Sequence, residues 1–347
     1  MSPNSPPARV TLRDVAHKLG VAHTTVSRAL RDDPQISKAM RERVQNTAQE
    51  MGYKPDPMLS ALAHYRRGKN KAPIGAELAW INHWPNPKTL RSFKEFELYW
   101  KGAFAEAERS GFRLEEFVLS KDLSPARLEK MFRARNIRGL LLPPRGSMAP
   151  DYGDFHWDDF CIVRFGHSLP FPHTHLVTSD QLTDGLIAFE NIWKNGYRRI
   201  GLVTSTKMHT RFNAGFLFGQ THWSPDLKIP TLILPNDSRA NDQRLLAAWL
   251  KKYKPDAVLT DVSELRDMLR AISYKVPKDI GLATLSVLDG NVDAGIDQNS
   301  EEIGKVAVQL LISLINHNEC GIPKICREVL VEGAWVNGSM LPVKPQN

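Results

Sequence analysis

Two architectures in succession are predicted for this 347-residue chain: a small all-helical unit at the amino terminus, then a larger α/β body of two lobes. Three observations predict them. Apolar residues in the first fifty positions recur at helical spacing and are interrupted at Gly20. From Ala76 onward, strand-like and helix-like segments alternate, and the alternation restarts midway. Charge is divided along the same line: residues 1–71 hold 13 Lys/Arg against 6 Asp/Glu, so seven of the eight net positive charges lie there. A basic small unit on a nearly neutral body is the electrostatic footprint of a nucleic-acid binder. The length suggests two or three domains, and 42% hydrophobic content is enough for a sizeable core.

Leu12, Val15, Ala16 and Leu19 form the stripe of a short amphipathic helix. Thr11 can cap it, with Asp14 as the reciprocal capping-box partner, and Gly20 ends it by accepting left-handed backbone angles. After a short turn, Val26 and Leu30 give a second helix one inward face, leaving His23, Thr24, Ser27, Arg28 and Arg31 outside. Ser37 can cap a third helix, whose positions Met40, Val44, Ala48 and Met51 face inward before Gly52. Periodicity alone leaves a plain helical bundle open. Two short helices joined by a Gly-containing turn, the second polar and Arg-bearing outside, read as a helix-turn-helix.

Tyr53-Lys54-Pro55-Asp56-Pro57 breaks the third helix. Met58 to Ala63 offers about two turns of helix, too short to stand alone in water, and His64 to Lys71 is a basic linker. Strands are then expected at 77–81, 113–119, 138–142 and 160–165, with helices at 96–110 and 124–134. The second half reads as helices 181–194, 211–221, 242–253 and 262–274 alternating with strands 199–204, 231–234, 257–260 and 280–285. Such alternation implies parallel, doubly wound sheets with a cleft between two lobes.

The string L-R-D-V-A-H-K-L-G-V-A-H-T-T-V-S-R-A-L, followed by I-S and then M-G-Y-K-P, closely resembles the DNA-binding headpiece of the lactose/galactose repressor (LacI/GalR-type) family. Weaker matches follow at Gly196 to Gly201, Pro255 to Val258 and Val276 to Gly281. The resemblance implies a headpiece at 1–53, a hinge helix and linker at 54–75, and a periplasmic-binding-protein-like core at 76–347. It places the first lobe at about 76–173 and 298–326, and the second at about 174–297 and 327–347. Family topology has 298–316 returning to the first lobe and 328–335 crossing back.

The same resemblance implies a dimeric repressor on a palindromic operator. His23 and Thr24 fall on the family's specificity pair, and Arg28 on an arginine able to grip a guanine bidentately. Thr11, Thr25, Ser27 and Gln35 fall on phosphate contacts that set register. Leu62 falls on a hinge leucine that wedges into the minor groove, with packing against the core as the alternative. Ala22 departs from the frequent Ser and removes a helix cap, at a cost of roughly 1 kcal/mol.

For a small-molecule effector, sugar-like by family default, the implied contacts are Asn82, His83, Arg91, Arg211, Asp261 and Ser286 at the carboxyl ends of strands. Three departures stand out: Thr260-Asp261, Leu285-Ser286-Val287, and Arg211 one place from the family's arginine. A cleft that is ligand-free or senses a protein partner is the alternative, and a solute-binding or enzymatic core is a remote one. Trp80, Trp84 and Trp100 suit either a sugar platform or the core.

No motif for nucleophilic, nucleotide or metal-assisted catalysis occurs, so no enzyme and no cofactor are expected. His173-Thr174-His175 reads as loop, not metal site. Cys161, Cys320 and Cys326, odd in number and without a CxxC pair, read as reduced thiols. Met1 to Val10 lacks an apolar signal segment, and the most apolar helical run, 303–315, is too short to span a bilayer. A soluble, cytoplasmic protein is expected.

Overall fold

The computed structural model describes residues 10–30, 35–51, 53, 76–120, 123–146, 151–205 and 210–345. The hinge, Leu62 and Arg31 lie outside these residues.

Helices α1 (Leu12–Leu19), α2 (His23–Ala29) and α3 (Lys38–Glu50) build the headpiece. The capping box at Thr11 and Asp14 is formed in both directions, and Gly20 turns the chain at φ +67°. Val15, Ala16, Val26, Ala29, Val44 and Ala48 make a small buried core, against which Leu30 and Met40 pack half-buried. Ala29 therefore takes the innermost place expected of Leu30. Ala22 supplies no side-chain cap to α2, as its methyl group dictates.

The first lobe begins with β1 (Ala76–Asn82), a single turn α4 (Pro87–Leu90), α5 (Lys94–Arg109), β2 (Phe112–Val118), α6 (Pro125–Ala134), β3 (Gly139–Leu142), β4 (Cys161–Phe165) and β5 (His175–Ser179). The second holds α7 (Gln181–Lys194), β6 (Ile200–Ser205), α8 (Thr210–Trp223), β7 (Leu232–Leu234), α9 (Arg239–Tyr253), β8 (Ala257–Thr260), α10 (Leu265–Ala271), β9 (Gly281–Thr284) and β10 (Gly295–Asp297). The chain ends with α11 (Ser300–His317), β11 (Glu328–Val331) and β12 (Ala334–Val336).

Sheet order is β11-β5-β4-β3-β1-β2 in one lobe and β12-β10-β9-β8-β6-β7 in the other. Neighbours run parallel except β10 with β12. Strand order reverses between β1 and β3 and between β6 and β8, so both sheets open a crevice at their carboxyl ends. Helices cover both faces, which is why β3, β4 and β8 are buried throughout instead of alternating.

Two corrections concern the lobe boundary. His175–Ser179, placed by sequence in the second lobe and within an expected loop, is β5 of the first sheet, pairing with β4 and β11. Likewise β11 belongs to the first sheet, so the chain crosses after 331, not near 327. Three connections thus join the lobes: β5 to α7, β10 to α11, and β11 to β12. A third correction is that Cys161 on β4 and Cys320 after α11 form a disulfide, with Cα atoms 4.1 Å apart; Cys326 alone is a free thiol.

Each lobe is tightened by a helix crossing made of glycines. A Cβ at Gly102 on α5 would lie 1.8 Å from the Glu301 carbonyl oxygen of α11, and one at Gly304 would lie 2.1 Å from that of Tyr99. Gly185 on α7 and Gly215 on α8 repeat the arrangement, at 2.3 Å from Phe212 O and 1.9 Å from Leu182 O. Backbones meet there with no room for a side chain.

Candidate nucleic-acid interface and interlobe cavity

In the headpiece, His23 and Thr24 occupy the first turn of α2 and are exposed, while Val26 and Ala29 hold its opposite face in the core. Thr25, Ser27 and Arg28 are half-buried. The Arg28 guanidinium donates from Nη2 to Oε1 of exposed Gln35. Thr11 spends its hydroxyl locally, donating to Asp14 Oδ2 at 2.7 Å and accepting from the Asp14 N–H at 3.4 Å. The Thr11 hydroxyl, and its backbone N–H donating to the same Asp14 Oδ2 at 2.7 Å, hold the Asp14 carboxyl below the ordinary range. Thr11 therefore secures the start of α1 directly.

Between the lobes lies a cavity of about 580 Å³ at the carboxyl ends of both sheets. The first lobe supplies Phe93, Glu95, Phe96 and Tyr99 around the start of α5, Pro144 and Arg145 after β3, and Gly166, His167 and Ser168 after β4. The second supplies Thr210, Arg211 and Phe212 opening α8, Asp261 after β8, and Leu285 and Ser286 after β9. Thr178, Ser179, Gln181 and Gln298 come from the crossovers.

Of six effector contacts expected from sequence, Arg211, Asp261 and Ser286 line the cavity, and Asn82, His83 and Arg91 do not. Each of the latter is held elsewhere for a physical reason. Asn82 is fully buried; its amide donates to Pro87 O (3.0 Å) and Glu116 Oε1 (2.9 Å), and its oxygen accepts from Trp84 N (3.0 Å). That shapes the turn after β1. Arg91 pairs with Glu116 and lies over the Trp100 ring at 4.2 Å. His83 meets the Tyr152 hydroxyl at 3.3 Å, and burial pushes its pKa down to about 4.

None of the three tryptophans weighed as a sugar platform lines the cavity. Trp80 is buried against Trp100 and Phe165, and Trp84 donates to Pro144 O at 2.8 Å. The aromatic wall is instead Phe93, Phe96 and Tyr99, linked ring to ring at 5.4 and 5.8 Å. Arg145 and His167, missed from sequence, sit after β3 and β4, at the same strand ends that point to Asp261 and Ser286. Applying the carboxyl-end rule to every strand would have found them.

Two polar links span the lobes. Ser286 donates to Glu95 Oε1 at 2.5 Å. Gln298 accepts from Ser179 Oγ at 3.0 Å and donates to Leu285 O at 2.9 Å. Asp261 accepts from Thr204 Oγ1 (2.7 Å) and the Ser205 N–H (3.1 Å). Burial, then the nearby Arg211 charge, lowers the pKa of His167. Among the described residues no His/Cys/Asp/Glu cluster could hold a metal, and no helix is long and apolar enough to cross a membrane.

Residues 11–56 match the family described as bacterial regulatory proteins, lacI family, and residues 189–334 match the periplasmic binding protein-like domain. The transcriptional regulator MalR of Streptococcus pneumoniae is 22% identical over 332 residues, covering 93% of this chain and 97% of that protein. Among solved structures, a complex of the transcriptional regulator CelR with cellobiose aligns over 96% of this chain and 100% of its own, at 20% identity and TM-score 0.56. The lac repressor dimer bound to operator and an anti-inducer aligns over 96% and 100%, at 15% identity and TM-score 0.54.

Proposed function

Because the chain belongs to the lacI family of bacterial regulatory proteins, we propose that it is a cytoplasmic repressor that grips a palindromic operator as a homodimer. A sugar-like molecule filling the interlobe cavity would set its DNA affinity. It is a DNA-binding transcriptional regulator with an effector-binding core. The observation that carries the finer reading is the cavity itself, whose wall comes from both lobes and two of the three crossovers. A ligand there touches both lobes at once, so its binding energy depends on their relative position.

In the headpiece, α2 would enter the major groove with His23 and Thr24 at base edges and Arg28 one turn behind. Phosphate contacts would come from the surrounding basic surface, with Thr25, Ser27 and Gln35 setting register. Phe93, 46% exposed, offers an apolar face for a sugar ring.

The test has two stages. Sequence selection from random duplexes should return a two-fold symmetric site bound by a dimer, with affinity falling steeply with salt. Titrating sugars into that complex should then change its affinity. A monomer bound to an asymmetric site would overturn the dimeric reading. A tight operator complex unmoved by any sugar would leave a regulator with a different input.

A further inference from the structure

We propose that the effector is a carbohydrate carrying one anionic group, a carboxylate or a phosphate, held between Arg145 and His167 of the first lobe and Arg211 of the second. This rests on the effector reading of the cavity and specifies its ligand. The charged residues lining the cavity fall into two kinds. The carboxylates are already occupied by protein donors: Glu95 receives the Ser286 hydroxyl, and Asp261 receives the Thr204 hydroxyl and the Ser205 N–H. They brace the walls.

The guanidiniums are differently placed. Arg211 is exposed on the cavity and has no hydrogen-bond or ion-pair partner among the described residues. Arg145 is anchored by its Nε on Ser168 O and its backbone N–H on Ser168 Oγ, so its two terminal nitrogens remain for a ligand. Neither arginine has a carboxylate within ion-pair distance among the described residues. Behind them lies Arg164, buried and bonded among the described residues only to the carbonyls of Leu169 and Thr174. Its charge is felt at His167 and is offset in part by Glu328 from the outer strand.

An unneutralised pair of guanidiniums in a partly closed site is costly unless the ligand brings the counter-charge. A planar carboxylate or a phosphate accepts two parallel N–H bonds from such a fork, which a neutral hydroxyl cannot. His167, whose pKa burial and then Arg211 lower, has a ring N–H to donate to the same group. Because the donors come from opposite lobes, an anion at this point draws them together. Anion charge and lobe closure are thereby coupled.

The experiment is calorimetric titration of the full chain with three matched sets. These are neutral sugars (glucose, galactose, cellobiose), their aldonic and uronic acids, and their phosphate esters. An acid or ester should bind at least tenfold more tightly than its neutral parent, and which set wins identifies the anionic group. Arg211→Gln should erase that preference while Arg211→Lys retains part of it, with the thermal unfolding midpoint confirming that each variant folds. A neutral sugar binding as tightly as its charged relatives would overturn this inference and leave the sugar reading intact. Binding by no member of any set would overturn both.

Discussion

Arg28 on α2 and Gln35, seven residues further along the chain, are joined side chain to side chain. Both positions are expected to contact DNA. Their link holds the guanidinium at the side of α2 before any base is met, and so limits the rotamer entropy a guanine contact would cost. Arg28→Ala should reduce operator discrimination by roughly 1–3 kcal/mol while retaining weak binding to random duplex. Competition titrations on both DNAs decide this. A parallel loss on each would make Arg28 a phosphate contact.

The α5–α11 crossing predicts a steep packing penalty. Gly304→Ala inserts a Cβ 2.1 Å from a backbone carbonyl, which only helix displacement can relieve. Destabilisation of about 1–3 kcal/mol or more is expected. Gly102→Ala disturbs the same contact, so the double variant should lose less than the two single losses added. Urea unfolding of all three measures it, and strict additivity would refute the shared crossing.

Asp184 gives a pH signature. It is fully buried on α7, accepts the Gly333 N–H at 2.8 Å, and has no partner for Oδ2 among the described residues. Burial raises its pKa to about 7, with Asp180 and Glu332 adding to the rise. A carboxyl whose folded pKa exceeds its unfolded one binds more protons when folded, so its contribution to stability falls as pH climbs from about 4 to about 7. Asp184→Asn lacks that titration. Its stability relative to the parent should improve by a few kcal/mol between pH 4.5 and pH 8. Denaturant midpoints with no pH-dependent difference would show the carboxylate to be solvated.

The Ser286–Glu95 bond closes one side of the cavity. Ser286→Ala removes a charge-assisted donor worth roughly 1.5–3 kcal/mol and should favour separation of the lobes. Spin labels at Lys130 and Lys251, one exposed on each lobe, would report a longer or broader distance distribution. An unchanged distribution would mean that the crossovers alone set the lobe position.

What was legible from sequence, and what was not, divides by range. The headpiece could be read because its instructions act within a few residues. Thr11 and Asp14 cap within one turn, Gly20 supplies its own backbone angle, and the Val15–Val26–Val44 core follows from helical period. The strands of the second lobe were legible for a similar reason, since each is a short apolar run bounded by turn residues.

His175–Ser179 escaped this logic. Two histidine positions and a proline before it mask the strand, and its pairing with β4 and β11 settles the matter through contacts on both edges. The Cys161–Cys320 pair, 159 residues apart, could not be seen from spacing, because α11 has first to return to the first sheet.

By itself, then, the sequence determined the helix-turn-helix, the basic charge of the amino-terminal unit, and the alternation that obliges two doubly wound sheets. These are properties of neighbouring residues and of period. Only the tertiary structure decided which strand-end loops face the cavity. Asn82 and Arg91 turned inward to Glu116, whereas Arg145, His167 and Arg211 remained at the opening. The reason is competition: a polar side chain at a strand end goes to whichever partner the fold brings near, and Glu116 reaches Asn82 only once β1 and β2 have paired in register.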